Sequence, residues 1–204
     1  MIAMKNCILA GVGGQGTVLA SKLIAQTAME SGMFARTAET IGMAQRGGSV
    51  VSHVRIGQKA EDVHSPLLPH GSADLLIGFE PAEAARALPY LKKGGAAVVS
   101  VKAVQPVTAT LSGKSYDTAG ILAYLREAVP NLVEVDTEAI CAECGSAKVA
   151  NVALLGAAAA CGALGLTVDE VEAALERRLP AKFLEINRKA LREGAKAYQG
   201  GDRK

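Results

Sequence analysis

The stretch Asn6-Cys-Ile-Leu-Ala-Gly-Val-Gly-Gly-Gln-Gly-Thr17 decides the fold. Asn6–Ala10 is a short apolar run that stops at glycine, the pattern of a parallel strand buried on both faces. Gly11–Gly16 supplies a turn, because glycine bends tightly and lets backbone approach a neighbour with no Cβ in the way. From Thr17 to Ser31 the apolar residues Leu19, Leu23 and Ile24 fall at helix spacing, and Gly32 provides a stop. Strand, glycine turn and helix in that order predict an α/β domain with a Rossmann-like, mostly parallel sheet and helices on both faces.

The same glycines are the first candidate site. Gly11, Gly13 and Gly16 fit G-x-G-x-x-G directly after a strand and before a helix. The following helix start offers unpaired N–H groups and the positive end of a dipole, where a phosphate could sit. Gly11, Gly13, Gly14, Gln15, Gly16 and Thr17 are therefore candidate cofactor-binding residues. Glu39 joins them, at roughly the distance, about 20 residues on, where a ribose-binding carboxylate is expected. The competing reading is that these glycines only allow close helix–sheet packing. A second candidate segment is Gln45-Arg46-Gly47-Gly48, where an arginine beside two glycines suggests an exposed loop with a directed cation for substrate or interface. Its plain alternative is an ordinary charged turn.

Working outward, Phe34–Ala38 reads as a second strand, and Ser49–Ile56, which alternates and ends at Gly57, as a third. Residues 58–73, with Pro66, Pro69 and Gly71, read as a loop, and Asp74–Gly78 as another buried strand. Pro81 suits a first helical turn. The helix Ala82–Leu88 is then broken by Pro89 and closed off by Gly94-Gly95, before a strand at Ala96–Val101. Helices at Ile121–Val129 and Glu138–Cys144 flank a strand at Leu132–Val135. The C-terminal region is helical: a small-residue helix from Val149, then Thr167–Leu179, then Lys182–Gly194. Thr167 and Glu170 have capping-box spacing for the second of these. No repeat or linker divides the chain, so residues 1–204 are expected to form a single domain with a frayed tail from Gly200.

Composition bounds the partners. Lys plus Arg number 22 against 20 acidic residues, and aromatic residues are 3%, which argues against a nucleic-acid binder. Val149–Val168 carries no charge over the length of a membrane span, but its alanine and glycine content suits a buried helix, against the chain's own core or a partner. No secretory signal is read at the start, so a soluble cytoplasmic protein with reduced thiols is expected. Cys141 and Cys144 read as packed thiols rather than a metal or redox pair. His53, His64 and His70 lack metal-ligand spacing, and Ser49 and Ser52 lack a nucleophile elbow.

The combination of segments is more specific than any one of them. Gly11–Gly16, with Glu39-Thr-Ile-Gly-Met-Ala-Gln-Arg-Gly-Gly-Ser-Val-Val-Ser-His-Val-Arg55, resembles the gamma-type domain of the 2-oxoacid:ferredoxin oxidoreductase family, most of all its indolepyruvate branch. Ala73-Asp-Leu-Leu-Ile-Gly-Phe-Glu-Pro81 and Pro180-Ala-Lys-Phe-Leu-Glu-Ile-Asn-Arg-Lys-Ala190 agree with it. The resemblance implies a non-redox small subunit of an enzyme that decarboxylates a 2-oxoacid and passes electrons to ferredoxin. Thiamine diphosphate, Mg²⁺ and iron–sulfur clusters would lie on a large (alpha) subunit, with coenzyme A at a shared site. No catalytic residue is implied for this chain. Members of the family commonly have histidine where this chain has Ile41; if that histidine contacts ligand, this chain lacks the contact. The only Gly-Asp pair is Gly201-Asp202, and the four cysteines lack the C-x₂-C-x₂-C-x₃-C run of cluster ligands. Pyruvate or 2-oxoglutarate versions of the enzyme stay open, as do a pure scaffold subunit and a free-standing dinucleotide-binding protein using Glu39.

Overall fold

β1 (Lys5–Val12) is buried from Asn6 through Gly11 because a strand lies on each side of it and helices lie on both faces. Alternate residues serve different cores. Cys7 and Leu9 face one apolar cluster, Ile8 and Ala10 the other, and all four are fully buried. The computed structural model describes residues 4–41, 48–105 and 116–200. The other strands are β2 (Phe34–Ile41), β3 (Ser49–Gly57), β4 (Ala73–Gly78), β5 (Leu91–Ser100) and β6 (Asn131–Val135), in the order β2-β3-β1-β4-β5-β6.

The α/β class holds, with one strand reversed. β1, β4, β5 and β6 run parallel, while β3 pairs antiparallel with both β1 and β2. β3 thus separates β2 from β1. The first strand also runs further than its apolar core, through Gly11 and Val12, so the turn itself is Gly13–Gly16. Gly94 and Gly95 do not close off a helix. They lie within β5, which starts at Leu91 after a 3₁₀ turn at Leu88–Tyr90, and the register with β4 shifts between Ala73 and Leu75. Gly94 has φ 75°, a conformation glycine adopts freely, and a Cβ on Gly95 would lie 3.1 Å from Ala73 O and 3.0 Å from Lys92 O.

One face of the sheet carries α1 (Thr17–Glu30), α4 (Thr137–Cys144), α5 (Ala150–Ala160), α6 (Val168–Arg178) and α7 (Ala181–Gly200). The other carries α2 (Pro81–Ala87) and α3 (Thr118–Ala128). The capping box of α6 forms as its spacing predicts. Thr167 Oγ1 accepts from Glu170 N–H at 3.2 Å and Glu170 Oε2 accepts from Thr167 N–H at 2.7 Å. α7 continues past Gly194 to Gly200, and residues 201–204 of the expected tail lie outside the described residues.

The uncharged helix α5 is internal. Asn151 through Ala158 are buried, and α7 crosses α5 at backbone contact. A Cβ built on Gly156 would lie 1.9 Å from Leu191 O, and one on Gly194 would lie 1.9 Å from Ala153 O. The small residues therefore let two helices of the same chain meet, with room for weak Cα–H···O contacts along the seam. Asn151–Ala158 are thus covered by the chain itself. Among the described residues no helix is long and apolar enough to cross a membrane.

Candidate functional site

A cleft of about 550 Å³ opens outside the carboxyl ends of β1, β4 and β5, the usual place for a ligand in an open α/β sheet. Gly14, Gln15 and Gly16 form one wall. Phe79 follows β4, Ser100 ends β5, and Lys102 and Val104 continue from it. The opposite wall comes from the starts of α4 and α5, including Glu138, Cys141, Lys148 and Asn151.

The glycine turn is built by its own side-chain tie. Gln15 folds back so that its Oε1 accepts from Val12 N–H at 2.8 Å, while its Nε2 donates to Phe79 O at 3.0 Å. The amide bridges the ends of β1 and β4, and its hydrogen-bonding is directed inward. Gly11 makes this possible, since a Cβ there would lie 2.8 Å from Gln15 Oε1 and 2.9 Å from Thr17 Cγ2. Gly13 N–H donates to Gly48 O at 2.8 Å, joining the two glycine segments. Gly14 has φ 99° and faces open space; Gly16 has φ 83°, and a Cβ on it would press on Asn151. Thr17 is buried at the first position of α1.

Three helix N-termini converge here, and they differ. α4 is capped by Asp136, whose Oδ1 accepts from Glu138 and Ala139 N–H groups. α1, entered through Gly16, and α5, entered through Val149, have no side-chain cap and no acidic residue in the first turn. The start of α1 therefore favours an anion, whereas α5 continues a 3₁₀ turn at Ala147–Val149 capped by Ser146, and its Val152 N–H is taken by Asn151 Oδ1. Lys102 reaches Glu138 at 3.1 Å, and Lys148 stands at the entrance to α5. Below them Ser100 and Thr137 share a buried hydroxyl hydrogen bond of 2.7 Å. The rim at Val104 is anchored by Glu80, which is buried at the start of α2. Glu80 accepts from Glu83 N–H at 3.0 Å, Val104 N–H at 3.4 Å and the Tyr116 hydroxyl. Burial, and then the bond to Glu80, raise the Tyr116 phenol above its ordinary range, so it stays a donor.

The sequence-derived candidates divide. Gly14, Gln15 and Gly16 line the cleft. Glu39 lies on β2, with β3 between it and β1, about 10 Å away at ordinary strand spacing. Its carboxylate accepts from Ser21 Oγ of α1 at 3.3 Å. Gln45, Arg46 and Gly47 lie outside the described residues, while Gly48 meets Gly13. Lys102, Lys148 and Asn151 line the cleft and were missed by sequence reasoning. A signal for Asn151 existed, as a lone amide at the start of an otherwise uncharged alanine-rich helix.

Iron–sulfur or metal chemistry is not supported by the donor set. Among the described residues no three His, Cys, Asp or Glu side chains gather to hold a metal. All four thiols are free, and burial raises each of them; Cys144 raises Cys141 further.

Comparison with known proteins agrees with this architecture. The model of the pyruvate ferredoxin/flavodoxin oxidoreductase family matches residues 6–197. The indolepyruvate oxidoreductase subunit IorB of Archaeoglobus fulgidus is 37% identical over 190 residues, covering 93% of this chain and 92% of that one. The keto/oxoacid ferredoxin oxidoreductase gamma subunit of Geobacter sulfurreducens has the same fold, with a TM-score of 0.68 at 23% identity over 96% of this chain and 98% of that one. The 2-oxoglutarate:ferredoxin oxidoreductase of Magnetococcus marinus, solved with 2-oxoglutarate, coenzyme A and succinyl-CoA, contains the fold in a longer chain. There the TM-score is 0.75 at 16% identity, over 100% of this chain and 32% of that one. With residues 6–197 matched by the family model, the chain belongs to the pyruvate ferredoxin/flavodoxin oxidoreductase family.

Proposed function

We propose that this chain is the non-redox small subunit of an indolepyruvate-type 2-oxoacid:ferredoxin oxidoreductase, acting with a large thiamine- and cluster-bearing subunit. The observation that carries the proposal is the cleft at the carboxyl ends of β1, β4 and β5, in a chain that is similar over nearly its full length to an indolepyruvate oxidoreductase subunit. In this reading the chain binds and shapes while a partner carries the redox chemistry. Its similarity to an indolepyruvate oxidoreductase subunit over nearly full length supports the choice of branch.

The cleft contributes part of the coenzyme A surface in this reading. The uncapped start of α1 and the Lys148 ammonium suit phosphate, Lys102 being paired with Glu138, while Phe79, Val104 and Leu154 offer apolar area to the rest of a ligand. Coenzyme A supplies the thiol that accepts the acyl group, and the residues here orient it without reacting. Arg46 is assigned to an anionic group of substrate or partner. The test is co-expression with the large chain, then assay of indolepyruvate-dependent ferredoxin reduction. Activity requiring both chains, and neither alone, is expected. Saturable NAD(H) binding by the isolated chain, with no complex formed, would instead establish a free-standing dinucleotide-binding protein.

A further inference from the structure

Glu80 begins α2 and is 2% exposed, yet it does not line the cleft. Its Oε2 caps the helix by accepting from Glu83 N–H at 3.0 Å. Capping alone does not call for glutamate. Serine, threonine, aspartate and asparagine are the preferred caps, because a short side chain reaches the N–H groups just ahead of it. A buried carboxylate is also costly unless hydrogen bonds satisfy it. Among the described residues no lysine or arginine pairs with Glu80; its side-chain partners are a hydroxyl and two backbone N–H groups.

The second oxygen accounts for the longer side chain. Oε1 accepts from Val104 N–H at 3.4 Å, beyond the end of β5, and from the Tyr116 hydroxyl, just before α3. The same hydroxyl accepts from Ala82 N–H at 3.2 Å, so Tyr116 is bonded to α2 at two points. Lys102 and Val104 both line the cleft. Lys102 N–H is tied to Ser100 Oγ at 3.2 Å; past it, the described backbone bond of this stretch is that of Val104 to Glu80. Phe79, next to Glu80, accepts from Gln15 Nε2 of the glycine turn. Two adjacent residues thus reach both sides of the cleft.

We propose that Glu80 and Tyr116 are positioning residues for the cleft, a clasp that holds the Lys102–Val104 side where a ligand meets it. Neither lines the cleft, so they act on affinity through Val104 and not on the chemical step. The inference rests on the reading of the cleft as part of the coenzyme A surface.

The experiment places Tyr116→Phe, Glu80→Ala and Glu80→Gln in the full chain assembled with the large subunit. In Tyr116→Phe the KM for coenzyme A should rise about tenfold while kcat and the KM for the 2-oxoacid stay near the parent's, the pattern of lost uniform binding. Glu80→Ala should have the larger effect. Glu80→Gln keeps one acceptor oxygen and should fall between parent and alanine. A merely structural role would lower the yield of assembled enzyme and leave the KM of the remainder unchanged. A second measurement uses the isolated chain, where Cys141 lines the cleft and Cys7 is fully buried. In Tyr116→Phe, alkylation of Cys141 by iodoacetamide should quicken about fivefold while Cys7 stays unmodified, the sign of local opening rather than unfolding. An unchanged KM for coenzyme A in Tyr116→Phe, or a Cys141 rate equal to the parent's, would each overturn the proposal. If Glu80→Ala fails to fold, Tyr116→Phe decides alone. If the parent complex shows no activity dependent on coenzyme A, the small-subunit reading falls, and the Cys141 rates decide whether the clasp holds the cleft.

Discussion

Replacing Gly156 with alanine should destabilise this protein, although the same change on an exposed helix would stabilise it by about 1 kcal/mol through propensity. The reason is the seam between α5 and α7. The added methyl carbon would lie 1.9 Å from Leu191 O, 2.8 Å from Leu191 C and 3.0 Å from Ala195 N. Carbon and carbonyl oxygen approach to about 3.3 Å at closest, so the helices must part by more than about 1 Å. All three obstacles are backbone, which cannot step aside by a rotamer change. Overpacking costs about 1–3 kcal/mol, and a backbone clash belongs at the upper end. After subtracting the propensity gain, a net loss of about 2 kcal/mol remains. For a chain of this size that is a fall in Tm of about 4–8 °C, measurable by calorimetry at neutral pH. An unchanged or higher Tm would refute the backbone-contact account of α5 and α7. The companion variant Ala158→Glu puts a charge at a position 4% exposed. It should melt far below the parent in the isolated chain, whereas a docking helix would fold normally and lose only assembly.

Three further outcomes are expected. Gln15→Ala removes the acceptor of Val12 N–H and the donor to Phe79 O, so it should cost about 2 kcal/mol by thermal melt; a loss below a few tenths would show that water replaces the amide. Glu170 is held below the ordinary glutamate range, first by Thr167 N–H and then by the Ser31 hydroxyl. The stability it adds is therefore full above that ordinary range and is lost as pH falls through the depressed value, so the Tm gap between parent and Glu170→Ala should narrow on acidification rather than widen. Finally, the purified chain should hold no stoichiometric iron after anaerobic reconstitution and desalting; retained iron with charge-transfer absorption would overturn the non-redox reading of its cysteines.

What could be read from the sequence was local. The apolar run into Gly11, the helix from Thr17 and the Thr167–Glu170 box each depend on neighbours within a few residues, and each formed as expected. Direction and pairing were not legible in the same way. The alternation of Ser49–Ile56 marks a strand but carries no sign of its antiparallel insertion between β1 and β2, which moves Glu39 away from the glycine turn. Gly94-Gly95 resembles a stop, yet an open strand end beside a register shift tolerates both glycines. Gln15 stood inside the motif, but its role depends on Phe79, brought close only by the β1–β4 pairing. Asn151 needed the approach of α5 to Gly16, a contact between distant parts of the chain.

The seam that seats α5 also sets a timetable. All six strands precede α7 in the chain, so the sheet and the glycine turn can emerge and pair while α7 is still unmade. Until Gly194 and Leu191 arrive, α5 lacks the backbone surface against which Gly156 and Ala153 close. The wall of the cleft that carries Asn151 is thus finished late in synthesis. A partner that recognises the completed cleft would select chains whose C-terminal helix has docked, and nascent or truncated chains would fail that inspection even with an intact sheet.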